Sequence, residues 1–588
     1  MSGITGFLLK PNNPDRADLE DRITAMTETM THRGPDDGGV WVDSQTGIAL
    51  GHRRLAVIDT SSQGHQPMIS PCERYVLVFN GEIYNHMELR QELDYTGHQG
   101  GWRGQSDTET LLEMIVDRGV SATLRKLVGM FAFALWDKQE QTLVLARDRL
   151  GEKPLYYGWQ ADAFVFGSEL KALRAYAGFK AEVDRRVLAL YLRFGYVPAP
   201  WSIYLGISKL EPGSSVTLTA HSENIVTDGY WSSMAAIRKG QREAFTGTDE
   251  EAVVALDQVL RRAVAGQMVA DVPLGAFLSG GIDSSLIVAL MQAQAGEPVK
   301  TFSIGFTEKG YDEARQARAI AAHLGTQHAE LYATPAHALE ILPGMPSFYD
   351  EPFGDPSAIL SFLVSRLARE EVAVGLSGIG GNELFGGYNR YPWTAAIWQR
   401  FGGWPPGMRV FLSSVLMLFP QVLRDSVLGM MQVLLPRHLR HPQAADKLLH
   451  KLVVMLPHRS PVAMYRSLLS HWKQPAGLIK NGKEPPTLLD GGSPPREISA
   501  IEPYLMYLDT KTCLPDDILV KLDRAAMANG LESRAPFLDH RVFEFAQSLP
   551  LNLKIREGQG KWVLRELLQR YVPGDLLAKP GTGLGVPL

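Results

Sequence analysis

Residues 279–284 read Ser-Gly-Gly-Ile-Asp-Ser, between the apolar run VPLGAFL and a helical repeat, LIVALMQAQ. A strand that passes through a glycine turn straight into a helix gathers backbone N–H groups and the positive end of the helix dipole at one point, so the turn is a seat for an anion. Ser279, Asp283 and Ser284 set two hydroxyls and one carboxylate able to hold a metal ion around that seat. Two adjacent glycines alone would mark only a tight turn. The chain has neither GxxxxGK[ST] nor a GxGxxG after a strand, which excludes a kinase-type phosphate loop and a dinucleotide fingerprint.

A second group able to do chemistry stands at the start, MSGITGFLLK. The small residue at position 2 predicts removal of the initiator methionine, which leaves the Ser2 hydroxyl beside a free α-amine at the head of an apolar strand. An amine acting as base for an adjacent hydroxyl or thiol is the arrangement of N-terminal nucleophile hydrolases. Taken alone, these residues also describe an ordinary start.

Both groups need a scaffold. A chain of 588 residues is too long for one core, so two or three domains are expected. Up to about residue 210 short strands alternate with turn clusters. RYVLVFNGEIYNH and GMFAFALWDKQEQTLVLARD alternate apolar and polar residues, the second as a hairpin. Residues 1–231 are expected to form a layered β-rich domain, and the polar stretch 232–247 a linker. From 248 to 588 the rhythm becomes strand, glycine turn, helix. This predicts a parallel sheet covered on both faces, with ligands at the strand C-termini. Residues from about 390 to 510 read as a helix-rich insertion.

Composition narrows the partners. A net charge of -5 gives no basic surplus for nucleic acid. Two cysteines, Cys72 and Cys513, lie outside any metal or disulfide pattern. The start lacks the features of a signal peptide, so a cytoplasmic location is expected. VFLSSVLMLFPQVL, residues 410–423, is too short to span a bilayer and predicts a pair of core helices, with a membrane-facing patch as the alternative.

SGGxDS resembles the pyrophosphate loop of enzymes that cleave ATP between its α and β phosphates, and it does not stand alone. THRGPDDGG, GHRRLAVID, FNGEIYNH, SDTE and ARDRLGEKPLYY fill the first half. FSIGF, DEPFGDPS, ELFGGY, LPDDILVKLDRAAMANGLESRAPFLDH and GKWVLRE fill the second. In this order they resemble the asparagine synthetase family over nearly the whole chain. The resemblance implies a multidomain α/β and α+β chain: an αββα N-terminal nucleophile glutaminase domain, then a parallel-sheet α/β ATP pyrophosphatase domain. It implies glutamine held by Arg54, Asn80, Glu82 and Asp107, with Ser2 as nucleophile and Asn80 and Gly81 as oxyanion hole. It implies ATP at Leu278, Ser303, Ser377, Gly378 and the turn of Ser279, Gly280, Gly281, Asp283 and Ser284. Mg²⁺ is implied at Asp283 with Asn382, and transition-state stabilisation at Lys561. A loop that holds the β and γ phosphates leaves the α phosphorus open to carboxylate attack, giving an acyl-adenylate.

Three departures qualify the resemblance. Ser2 stands where the family has cysteine, a much better nucleophile, so a weakened glutaminase is expected. Ile379 and Asn382 replace an acid and an aspartate; Asn382 offers Mg²⁺ a carbonyl without charge, and Ile379 can neither take a proton from an amine nor pair with an ammonium. The family runs several tens of residues past GxGVP while this sequence ends at GLGVPL, so a trimmed or lost tail is expected. The expected activity is ATP-dependent amide formation from glutamine-derived or free ammonia, on a small-molecule or carbohydrate carboxylate other than aspartate. Two alternatives stand beside it: a ligase using a larger amine, as in β-lactam-forming or peptide-cyclising enzymes, and a non-catalytic glutamine-binding scaffold. The oligomeric state, a homodimer included, is left open.

Overall fold

The computed structural model describes residues 2–10, 15–97, 101–306, 314–418, 451–480, 482–491, 494–495, 498 and 500–577. Every residue of the strand Ser2–Leu9 is buried, because the strand lies between two apolar layers. Ile4 and Leu8 enter one layer with Val76, Val78 and Trp136, while Phe7 and Leu9 enter the other with Leu19, Ile23 and Met26 of the helix Arg16–Glu28. The strand pairs antiparallel with Ile48–Arg54 and with Ala163–Gly167, within a six-stranded sheet.

A second six-stranded sheet is built around Tyr75–Ile83, Gly129–Asp137 and Thr142–Arg147, and the last two form the expected hairpin. Phe131, Phe133 and Leu135 on its outer face meet Leu89, Leu93, Leu111 and Ile115 of the helices His86–Thr96 and Asp107–Arg118. Helix, sheet, sheet and helix therefore stack in that order.

Residues 232–247, read as a linker, carry a helix, Ser233–Arg242, capped by Ser232 and anchored by buried Ile237. The polar composition belongs to its outer face.

The next sheet has five strands, all parallel, in the order Gln327–Ala333, Lys300–Phe306, Leu274–Phe277, Val374–Leu376, Glu532–Arg534. Leu286, Ile287 and Leu290 pack with Leu256, Leu260 and Leu564 on one face; Phe302 meets Ala368 and Ala526 on the other. The chain leaves the central strand Leu274–Phe277 in one direction and returns on its other side at Val374–Leu376. A crevice opens where the order reverses, outside the carboxyl ends of these two strands.

Of the stretch 410–423, residues up to 418 belong to the helix Pro406–Leu418 and the rest lie outside the described residues. The expected core helix is buried on one face only: Leu416 is 4% exposed and Phe411 70%. No helix of the described residues is long and apolar enough to cross a membrane.

Buried ion pairs join the halves. The Arg33 guanidinium donates to both Asp523 oxygens at 2.7 and 3.0 Å and to Glu169 at 2.9 Å, and Glu169 also pairs with Arg524. Charges this deep are tolerated only when each is matched in the folded chain.

Candidate active sites

In the N-terminal half Ser2 lies opposite Arg54 in the sheet register, and its backbone N–H donates to Asn80 Oδ1 at 3.0 Å. Asn80, Gly81 and Glu82 follow on the strand Tyr75–Ile83. A Cβ on Gly81 would stand 2.2 Å from the Met130 carbonyl oxygen, so the close strand pairing demands glycine there. Among the described residues Asn80 Nδ2 is buried without a hydrogen-bond partner, as is Glu82 Oε2. An unfilled donor in such a place costs free energy unless a ligand supplies an acceptor.

Asp107 opens the helix Asp107–Arg118 behind its Ser106 cap, and accepts from the Ile83 N–H at 2.8 Å. Burial pushes its carboxyl above the ordinary range. Burial also drives Glu82 well up, helped by the nearby Glu532 and Asp107 charges. Arg54 is steered by the loop that follows it, donating to the Ser61 carbonyl at 2.8 Å and to that of Asp59. Ser2, Arg54, Gly81, Glu82 and Asp107 line one small pocket. Gln66 joins them unanticipated, its Oε1 accepting the Phe79 N–H at 2.7 Å and its Nε2 reaching Thr108 Oγ1. Only folding brings it there.

In the C-terminal half Leu278 follows the central strand, Gly280 takes a left-handed φ of 76°, and the helix Ile282–Gln292 begins at once. Ser279 Oγ and Ser284 Oγ lie 2.9 Å apart, closing the turn across the helix start. The strand Val374–Leu376 delivers Ser377 and Gly378, and the Ser377 N–H is held by the Arg534 carbonyl at 2.8 Å. The two turns lie in close contact: a Cβ on Gly378 would lie 2.6 Å from Ser284 N, and one on Gly381 2.5 Å from the Asp283 carboxyl carbon.

Lys561 arrives from 278 residues away and donates to Asp283 Oδ2 at 2.5 Å. Its left-handed φ of 62° and its N–H bond to the Phe385 carbonyl at 2.9 Å aim the side chain inward. A Cβ on Gly387 would meet Lys561 Cε at 2.2 Å and Asn382 Oδ1 at 2.4 Å, so the lysine stem and the asparagine carbonyl share the space that this glycine leaves.

Leu278, Asp283, Ser303, Ser377, Gly378 and Asn382 all line a cavity of about 340 Å³. Ser279 and Ser284 also face it, whereas Gly280 and Gly281 shape the turn and Lys561 reaches the cavity through Asp283. Ile379 lies in its wall with Tyr388, Ile518 and Lys521, the last held to Asp355 at 2.6 Å. Among the described residues that line the cavity, Asp283 is the only carboxylate. The segment Leu514–Ile518 winds as a π-helix, a form that recurs at functional sites, and Ile518 at its end and Lys521 after it line the cavity.

Among the described residues no three acidic, histidine or cysteine side chains gather as a metal site. Mg²⁺ needs little from protein where phosphates and waters complete its shell. Buried Asp283 Oδ1, without a hydrogen-bond partner among the described residues, fits that demand.

Residues 1–231 match a family model described as a glutamine amidotransferase domain, and residues 255–588 one described as asparagine synthase. The chain is 34% identical to glutamine-hydrolysing asparagine synthetase 1 of Bacillus subtilis (strain 168), covering 100% of this chain and 87% of that one. It is 31% identical to asparagine synthetase 3 of the same organism, over 98% of this chain and 86% of the relative.

Proposed function

Because the chain belongs to the asparagine synthetase family of glutamine-dependent amidotransferases, we propose that it joins nitrogen to a carboxylate activated as its adenylate, and that this carboxylate is not aspartate. The observation that carries this reading is the meeting of the 279–284 turn with the Asp283–Lys561 pair at the carboxyl ends of the two strands where the sheet reverses. ATP, a substrate here, lies with its β and γ phosphates against the turn N–H groups at the start of the helix Ile282–Gln292. The carboxylate oxygen attacks the α phosphorus, the bond to the β-phosphate oxygen breaks, and pyrophosphate leaves. Lys561 follows the charge that develops on the phosphoryl oxygens. Asp283 and the Asn382 carbonyl would hold Mg²⁺, which neutralises phosphate charge. Ammonia then displaces AMP from the acyl carbon.

Ile379 supports an acceptor without an α-ammonium, since the wall it occupies is apolar and Asp283 already has Lys561 as its partner. In the other half, Arg54 pairs with the glutamine α-carboxylate, Asp107 with its ammonium, and Asn80 Nδ2 with Gly81 N–H faces the developing oxyanion. Ser2 replaces a thiol by an alcohol, which slows hydrolysis while leaving the binding groups in place.

Carboxylate-dependent exchange of labelled pyrophosphate into ATP tests the first half-reaction, with aspartate, uronic acids and other acids lacking an ammonium as substrates. Exchange with a non-amino acid and none with aspartate supports the proposal. Exchange with aspartate alone refutes the acceptor reading, and release of ADP with orthophosphate refutes adenylation. Turnover with one larger amine while ammonia stays inert would favour that nitrogen donor instead.

A further inference from the structure

Behind Ser303, on the edge strand Gln327–Ala333, lies a polar chain that the reaction above does not use. Thr301 pairs in register with His328, and Ser303 with Glu330. His328 Nε2 lies 3.1 Å from Ser303 Oγ and 3.3 Å from Glu330 Oε1. Its Nδ1 lies 2.8 Å from Thr301 Oγ1, which is 3.0 Å from Thr326 Oγ1. Arg318 clasps Glu330, with Nε donating at 2.8 Å.

These contacts assign the protons. An arginine-bound carboxylate only accepts, so the ring nitrogen near Glu330, Nε2, carries the proton, which points to Ser303 Oγ at 3.1 Å with the Glu330 carboxylate flanking it at 3.3 Å, and Nδ1 accepts from the Thr301 hydroxyl. Burial holds the imidazole below its ordinary range, in keeping with a neutral ring carrying one proton. A protonated Nε2 has no lone pair for Ser303. The serine oxygen therefore accepts from His328, and the serine hydrogen has no acceptor in that direction. Ser303 lines the cavity and shows no other side-chain hydrogen bond among the described residues. Its hydroxyl is thus poised as a donor.

We propose that His328 is a specificity-determining positioning residue, which orients Ser303 to donate to an acceptor ring nitrogen of the adenine base. The proposal rests on the reading of this cavity as the ATP site. Thr301, Glu330 and Arg318 act through His328 by fixing its tautomer, and only Ser303 touches the base.

Direct binding of ATP and of its 1-deaza, 3-deaza and 7-deaza analogues to the full chain tests it, since each analogue replaces one ring nitrogen by a carbon that cannot accept. One analogue is expected to bind about tenfold more weakly than ATP, the weight of a single neutral hydrogen bond. In His328→Ala and Ser303→Ala that ratio falls towards one, and the double variant is no worse than Ser303→Ala. His328→Gln, which restores an N–H donor, recovers part of the preference. Equal binding of ATP and all three analogues to the unmutated chain overturns the proposal, whether or not a variant folds. So does a His328→Ala protein that keeps the full preference. Failure of the unmutated chain to bind any of the four nucleotides overturns the ATP reading itself, and so is distinguished from failure of the inference.

Discussion

The pocket at Ser2 and the cavity at the 279–284 turn are held together differently. The pocket draws Ser2, Arg54, Gly81, Glu82 and Asp107 from one β-layered half, with Asn80 buried beside them on the same strand as Gly81, and strand register sets their spacing. The cavity joins turns around residues 280, 380 and 561, which meet through close glycine contacts, the Lys561–Asp283 ion pair and the bond from the Lys561 N–H to the Phe385 carbonyl. In the first, chemistry is open to loss at one atom, the serine oxygen, with the recognition groups intact. In the second, geometry depends on backbones lying within van der Waals contact, so small intrusions far from the reacting atoms are felt.

The largest test of that contrast is Lys561→Ala. It leaves Asp283 without its cation and, on the proposed adenylation, removes charge from the transition state, so pyrophosphate exchange is expected to fall about 10³-fold. Glutamine binding, measured by titration calorimetry, stays unchanged. Gly387→Ala comes next: the new methyl displaces Lys561, and a shift near 1 Å costs about 10²-fold in exchange, with ATP affinity little altered. Unchanged exchange would show that the lysine stem has room to spare.

Ser2→Cys sharpens the other side. Glutamine-dependent activity should rise at least about tenfold, because a thiol supplies a few per cent thiolate at neutral pH and an alcohol supplies essentially none. Ammonia-dependent turnover should not move, and a rise in both would contradict the separation of the two sites.

The smallest effect is on stability. Glu383, buried beneath the cavity wall and bonded by the Tyr388 hydroxyl at 2.7 Å, is pushed up to about 7 by burial. Its folded value is above the ordinary 4.5, so between about 4.5 and 7 the folded chain holds a proton that the unfolded chain has released. This group therefore lowers stability as pH rises through that window, by at most about 1.4 kcal/mol per pH unit, and adds no slope above it. Denaturant midpoints of Glu383→Gln against the parent should show a flatter pH dependence across the window.

Much of this was legible in the residues because it is local. The alternation in GMFAFALWDKQEQTLVLARD specifies a hairpin, and SGGIDS specifies a strand, a left-handed glycine and a helix start, since these follow from backbone sterics over a few residues. In the linker stretch 232–247 the helix was not legible, because a surface helix and a loop share polar composition. Its buried Ile237 is a weak sign in so short a run.

The sequence by itself determined which groups are available: a hydroxyl at position 2, an isoleucine at 379, an asparagine at 382, and a glycine turn able to seat phosphate. Only the tertiary structure decided which of them meet. Lys561 reaches Asp283, the Arg534 carbonyl secures Ser377, and His328 stands behind Ser303 because packing the sheet's two apolar faces brings distant turns into contact. Those contacts owe their stability to burial spread over the core, a property of the assembled layers and of no single segment.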